Sequence, residues 1–394
     1  MLDSFTEVSH QSWGSRLIES IKGVVVGIAM FVGAIALLAW NEHRAVVTAK
    51  SLTEGQGLVV SVKADAVDPA HQNKLVHVTG QATTTETLND PVFGATAQAI
   101  KLVRTVKMYQ WKETKKTEKK KELGGGERTE TTYTYAKEWD DEHHDSKHFK
   151  HEAGHENPAM KYRSDRFVAQ VVTLGAFALT KDQIADIDAG EGLAATQEQL
   201  AKIADPALRA QAKLEGADIY LAASAASSPQ QPGVGDLRVA FTVVKPTAVS
   251  LYAAQVGNSF APFQTSAGNA LSRLQIGTHT PEAMFAQAQS ENAMLTWVLR
   301  GVGWLVMTIG LSLLFQPFVT FADVLPFLGN VLGFGVLLGS GVAAAGVSIT
   351  TIAVAWIVVR PVLGVGLLAV AALGFFAFYR AGTKARNVRS ALAS

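Results

Sequence analysis

Three consecutive charge-free stretches near the C-terminal end constrain this chain more than any other feature. Arg300 and Asp323 bracket the first, Asp323 and Arg360 the second, Arg360 and Arg380 the third. A hydrocarbon core about 30 Å thick takes about 20 apolar residues at the helical rise, and each stretch reaches that length. In lipid the backbone has no water to bond, so such stretches must satisfy their own N–H and C=O groups as helices. They predict transmembrane helices over 297–319, 327–359 and 361–380. A fourth charge-free run, 23–41, carries Val24, Val25, Val26, Ile28, Phe31, Ile35 and Leu38 and reaches Trp40, a residue type of the membrane interface. It is longer than the apolar segment of a signal peptide, which predicts an uncleaved anchor. The expected class is a membrane protein. It has four transmembrane α-helices, one N-terminal and three C-terminal, and a large α+β extramembrane domain over 42–296.

Charge sets the expected topology. Arg380 precedes and Lys384, Arg386 and Arg389 crowd the tail, 381–394, and the positive-inside rule places it in the cytoplasm. Four spans then place the arm 1–22 there too, with Ser12 capping a short interfacial helix. The domain 42–296 falls in the periplasm of a bacterium or the lumen of an organelle. Trp40, Arg300, Asp323, Arg360 and Arg380 are the expected interface and topology markers, with Asp323 in a short cytoplasmic turn. The chain's net charge of +1 gives no field that would gather nucleic acid. It has no cysteine, which excludes disulfides, thiol catalysis and thiolate metal sites.

Within the extramembrane domain, strand patterns run through Leu58–Val62, Leu75–Gly80 and Leu237–Val244, with Leu251–Val256 expected beside the last. Thr180 is placed to cap a helix starting at Lys181. Residues 192–215 have helical composition, and a helix from Pro281 leads into the second span. Two Thr- and aromatic-rich segments flank Gly124-Gly125-Gly126 and predict a long β-hairpin near 105–140. Lys112 to Lys121 gives it a solvated tip on the outer side.

His151-Glu152-Ala153-Gly154-His155 spells H-E-x-x-H. On a helix this would set His151 and His155 on one face as zinc ligands with Glu152 as general base. Its context opposes that reading. Lys147, Lys150, Glu156 and Lys161 surround it, Gly154 weakens a helix, and Asn157-Pro158 ends one. No third ligand has a recognisable spacing. No catalytic residue, cofactor or metal is therefore expected, with Glu152, His151 and His155 as the one arrangement to test.

Glycines recur four apart at Gly23 and Gly27, Gly329 and Gly333, and Gly335 and Gly339, a spacing that lets helix backbones approach closely within a chain or between chains. Thr308, Ser312, Gln316, Ser340, Ser348, Thr350 and Thr351 are mild polar groups that in spans more often bond the backbone than line a path.

Several short stretches carry a resemblance that runs from end to end. They include Asn41-Glu42-His43-Arg44-Ala45, Leu58-Val59-Val60-Ser61, Leu75-Val76-His77-Val78 and Asp90-Pro91. Others are Met108-Tyr109-Gln110-Trp111, Glu138-Trp139, Gly154-His155-Glu156-Asn157-Pro158 and Val234-Gly235-Asp236-Leu237-Arg238-Val239. Pro262-Phe263, Thr296-Trp297, Leu299-Arg300, Gly303-Trp304 and Arg360-Pro361 complete the series. Together they resemble the transmembrane protein 43 (LUMA) family, while the Ala- and Gly-rich composition and short loops look bacterial. The resemblance implies a non-enzymatic multi-pass membrane protein that self-associates. In animals the family is placed in the endoplasmic reticulum and inner nuclear membrane and linked to lamins, emerin and nuclear-envelope organisation. A cation-channel role has also been proposed for it. The expectation for this chain is a scaffold or organiser in a bacterial inner membrane, or in the endoplasmic reticulum or inner nuclear membrane of a eukaryote. Its expected partners are the lipid bilayer, further copies of itself and unidentified proteins met through the external domain, with no nucleic acid. An oligomeric cation channel and the zinc protease are the alternatives.

Overall fold

A computed structural model describes residues 3–357 and isolated positions between 365 and 380. Two compact units divide the chain. One takes the N-terminal residues through Thr6, Thr53–Lys116 and Thr131–Ala286; the other takes Glu7–Leu52, Thr117–Glu130 and the chain from Gln287 onward.

The first unit is a large sheet-rich extramembrane domain. In one sheet Leu237–Val244 pairs antiparallel with the start of the strand Lys101–Lys121, Leu237 opposite Met108 and Val244 opposite Lys101. Its other edge takes Asp218–Leu221 and then Ala212–Glu215. In the second sheet Thr247–Val256 runs antiparallel to Leu75–Thr83 and to Arg273–Ile276. Val60–Lys63 joins that sheet parallel to Leu75–Thr83. The strand from Leu237 and the strand from Thr247 are therefore not neighbours, as the alternation alone suggested. Pro246 stands between them and cannot donate to a ladder, and the chain passes from one sheet to the other. Val239, Phe241 and Val243 of one strand and Val249, Leu251 and Ala253 of the other point into a single core with Phe93, Ile100, Leu102, Leu174 and Phe177.

Short helices ride on these sheets. Helix α2, Lys181–Asp186, has a full capping box: Thr180 accepts from the Gln183 N–H and the Gln183 side chain accepts from the Thr180 N–H. The helical reading of 192–215 is corrected. It holds only α3, Gln197–Ala201, and α4, Pro206–Gln211, between strands Glu191–Leu193 and Ala212–Glu215. Pro206 opens α4 at a first-turn position where its missing N–H is not needed, and Asp205 caps that turn by accepting from Ala207 and Leu208.

The second unit contains the long helices. Three are long and apolar enough to cross a membrane: α1, Trp13–Leu58; α5, Pro281–Ala322; and α6, Pro326–Ile357. The fourth expected span, 361–380, the tail 381–394 and Arg360 lie outside the described residues, isolated positions apart. The N-terminal arm differs from its expectation. Asp3–Gln11 is a strand beside the hairpin, and the helix behind Ser12 runs unbroken into the span. At the other end α1 does not stop near Asn41, where the first span was expected to end. Residues 42–58 are helical, with Asn41, Arg44 and Ala45 held by α5. Ala34, Leu38, Met307 and Ala344 form the buried seam of the three helices.

His77 supplies a pH test of the sheet domain. Burial holds its imidazole below the ordinary 6.5, against the opposing effects of the His279 backbone and Glu282. Its Nε2 is buried without a partner among the described residues. The unfolded chain therefore takes up this proton first as pH falls through 6.5, and folding stability is lost on the acid side. The midpoint of thermal unfolding is expected to fall as pH drops below 6.5, and His77→Gln to flatten that fall.

Candidate functional site

The H-E-x-x-H segment is not a helix. Residues 151–160 form turns and extended chain, and Gly154 takes φ +85°, a left-handed conformation that breaks any helical register. The premise that places His151 and His155 on one face therefore fails. His155 is buried. Its ring stacks on Tyr135 at 3.9 Å and meets Trp111 edge-on at 4.7 Å. Its Nδ1 lies 3.1 Å from the His151 carbonyl, and its Nε2 lies 3.2 Å from Asp3. The His151 ring packs on Phe5 instead, with centroids 4.4 Å apart. The Glu152 carbonyl accepts from the His155 N–H. Among the described residues no group of three or more His, Cys, Asp or Glu is placed to hold a metal ion. Asn157 explains why the segment is built this way. Its side chain accepts from Trp111 N–H at 2.8 Å and donates to the carbonyls of Trp111 and His144 at 2.8 and 2.9 Å. The loop is a clamp on the hairpin arm.

The polar groups that stand out are in the helical unit, in two belts. The first joins α1, α5 and α6. Arg300 forks onto Glu42 at 2.7 and 2.8 Å, and the Trp356 indole donates to the same carboxylate at 2.5 Å. The guanidinium of Arg300 lies over Trp297 and Trp356. Beside it Asn41 donates to the Thr296 carbonyl, and Arg44 donates to Asn292, Asn41 and Thr296. Trp40 is exposed next to this belt. Arg300, expected as a topology marker, is thus half of an ion pair whose other half, the buried Glu42, was not among the expected interface residues. A carboxylate one residue past an apolar run, facing an arginine one turn before another, was the available signal.

The second belt is built on Asp323, which is 0 % exposed. Arg16 of α1 donates to its Oδ2 at 2.7 Å, and Lys121 donates to its Oδ1 at 2.7 Å. Arg16 also donates to the Gly125 carbonyl at 2.5 Å and lies 3.7 Å from Glu127. The Gly124 N–H donates to the Val324 carbonyl. Gly125 sits at φ +83° under the Trp13 indole, where a Cβ would fall 2.3 Å from that ring. Only glycine meets both demands. The Trp13 Nε1–H is bonded to the Thr320 carbonyl at 2.9 Å. The expectation of a freely solvated hairpin tip is therefore corrected. Leu123 is exposed, but Lys121, Gly125 and Glu127 are engaged with α1 and with the turn between α5 and α6. The lysine-rich composition concealed this, because nothing in it separates Lys121 from its solvated neighbours.

The glycines divide into three uses. Gly27 and Gly310 press α1 against α5, each Cβ position falling 2.6–2.8 Å from the other's carbonyl oxygen, and Gly23 opens onto Leu313. Gly329 makes room for Asp323, whose Oδ1 lies 1.7 Å from where a Cβ would be, and Gly333 meets Val319. Gly335, Gly339 and Gly346 have nothing within 4 Å of their Cβ positions among the described residues. The hydroxyls are mostly spent on the backbone. Thr308, Ser312, Thr350 and Thr351 each donate to the carbonyl four residues back. Ser348 donates to the Met307 sulfur, and the buried Ser340 Oγ has no partner among the described residues.

Comparison with known proteins finds relatives over most of the chain. The family pattern described as Transmembrane protein 43 matches residues 108–361. The chain is 34% identical to transmembrane protein 43 of Mus musculus, over 88% of this chain and 86% of that one. It is 33% identical to that of Homo sapiens, over 90% and 88%. It is 28% identical to the homolog of Drosophila melanogaster, over 90% and 93%. No solved structure matches the chain.

Breaking the second belt should be costly. Asp323→Asn leaves Arg16 buried beside a neutral group, and removing one partner of a buried pair costs about 3–5 kcal/mol. Thermal unfolding of the detergent-solubilised protein should show a large drop in midpoint. Adding Arg16→Met to that variant should recover part of the loss, as coupled neighbours do.

Proposed function

Because the chain belongs to the transmembrane protein 43 family, we propose that it is a non-enzymatic, multi-pass membrane protein that self-associates and organises the membrane around its external domain. The observation that carries this reading is the small-residue face of α6, whose glycines Gly335, Gly339 and Gly346 meet no neighbour among the described residues. Gly335, Gly339, Val342 and Gly346 follow one another at helical spacing on a single face, and Val342 is exposed. In lipid the drive for helix association comes from close packing, which small residues allow. A second copy of the chain fits such a face, because its own α6 presents the same surface to a symmetry-related neighbour.

The chemistry of the remaining groups supports a structural role. Glu42, Arg300, Arg16 and Asp323 are occupied with one another. The histidines of H-E-x-x-H are occupied with ring stacking and the backbone. The span hydroxyls that bond their own helices support an organiser over an ion path.

Gly339→Leu tests the reading. Among the described residues nothing lies within 4 Å of the Gly339 Cβ position, so the variant should unfold like the parent. In mild detergent its mass should shift toward the monomer, and crosslinking between copies in membranes should fall several-fold. A parent protein that is monomeric in mild detergent and shows no crosslinked species would overturn self-association.

A further inference from the structure

A cavity of about 240 Å³ in the sheet domain is lined by three cations, Lys101, Arg166 and Lys181, and by no acidic residue. Strand pairing explains why they converge. Lys101 opens the strand Lys101–Lys121 and stands opposite Val168, while Arg166 stands opposite Val103. Residues two apart on a strand share a face, so Lys101 and Arg166 are diagonal neighbours on one side of the sheet. Helix α2 brings the third cation, Lys181, at its first position. The same helix closes over Lys101: the Lys101 Nζ donates to the Ala185 carbonyl at 2.8 Å, and Ala185 is also part of the lining.

Charge at this cavity is out of balance. Lys101 is only 3% exposed. Burial holds its ammonium below the ordinary 10.5; Asp188 opposes that, Arg166 adds to it, and Asp186 opposes it. Neither aspartate lines the cavity. An ammonium carries three donors, and among the described residues the Ala185 carbonyl takes one. The side chains of Arg166 and Lys181 have no hydrogen-bond or ion-pair partner among the described residues. Other arginines of the domain are matched: Arg104 forks onto Asp90, and Arg238 onto Glu215. Asp165, the neighbour of Arg166 in sequence, lies 3.6 Å from Arg104 instead.

We propose that the cavity between α2 and the strands of Lys101 and Arg166 binds a small phosphate monoester. Its volume is below the range of about 300–1,000 Å³ usual for larger organic ligands, so the occupant is small. A guanidinium presents a planar fork to two phosphate oxygens, and lysines add point charges around it. Near pH 7 a phosphate monoester carries about −1.5 to −2. A carboxylate, with a single negative charge, leaves more of the three cations unmatched. Val168 and Ile184 supply an apolar wall for the carbon side of the ester.

Calorimetric titration of the full detergent-solubilised chain with glycerol 3-phosphate, in phosphate-free buffer, tests this. The expected result is saturable binding of one equivalent. Arg166→Gln and Lys181→Gln each change an exposed side chain without a partner among the described residues, so without ligand both should unfold at the parent's midpoint. Each should bind about tenfold or more weakly, the loss of one charge-assisted bond. Lys107→Gln, which alters a cation of the same strand outside the cavity, should bind as the parent does. Glycerol 3-phosphate should also raise the parent's unfolding midpoint and leave that of the Arg166→Gln, Lys181→Gln double variant unmoved. Absence of saturable binding to the parent overturns the proposal. So does a loss in Lys107→Gln equal to that in Arg166→Gln and Lys181→Gln, which would mark a diffuse charge effect. Acetate that binds as tightly as glycerol 3-phosphate overturns the assignment to phosphate.

Discussion

The buried carboxylate of Asp323 is the interaction on which the helical unit depends. It is the last carboxylate side chain in the sequence, and the charged side chains after it are all basic. A lone carboxylate without water is several kcal/mol uphill unless hydrogen-bonded cations surround it. Here Arg16 and Lys121 reach it from two sides, and Gly329 lets it lie against α6. Three sequence-distant segments are thereby fixed at one point. Buried pairs add little net stability over apolar packing, but a mispaired one is strongly penalised. The belt therefore acts on register more than on strength.

Register is what the helices need. α1 and α5 are apolar on most faces, and a lipid-facing helix can slide or rotate against its neighbour at small cost. Arg16 beside Asp323, Gly27 beside Gly310, Leu38 beside Gly303 and Glu42 beside Arg300 advance in step along the two antiparallel helices. A shift by one turn would separate both ion pairs and lift the glycines from their contacts. Oppositely signed pairs at the two ends also fix which way each helix points, since Arg16 and Glu42 on α1 face Asp323, just past the end of α5, and Arg300 on α5.

The spans were legible because charge exclusion in lipid is nearly one-dimensional: a run of apolar residues carries its own evidence. The Thr180 cap was legible for a similar reason, since its box lies within four residues. What escaped reading was everything decided by partners far away in sequence. Helix α1 runs on to Leu58 because α5 holds Asn41, Arg44 and Ala45. The hairpin tip is docked because Arg16 and Asp323 meet it. His151 and Glu152 matched a motif whose meaning depends on a helix, and Gly154 in a left-handed turn removes that helix. The strand from Thr247 changed sheets at a proline, which alternation cannot register.

The stretches that carry the family resemblance fall at points of this kind. Asp90 is fully buried, forked by Arg104 at 2.7–2.8 Å and bonded to the N–H groups of Val92 and Phe93. Asp236 gathers the Tyr220 hydroxyl, Ser227 and two backbone N–H groups. Asn157 clamps Trp111, and Glu42 takes Arg300 and Trp356. In each case a polar side chain is consumed in joining segments. Sequence-distant segments are thereby held at many separate points within each unit, by side chains whose partners lie far away along the chain.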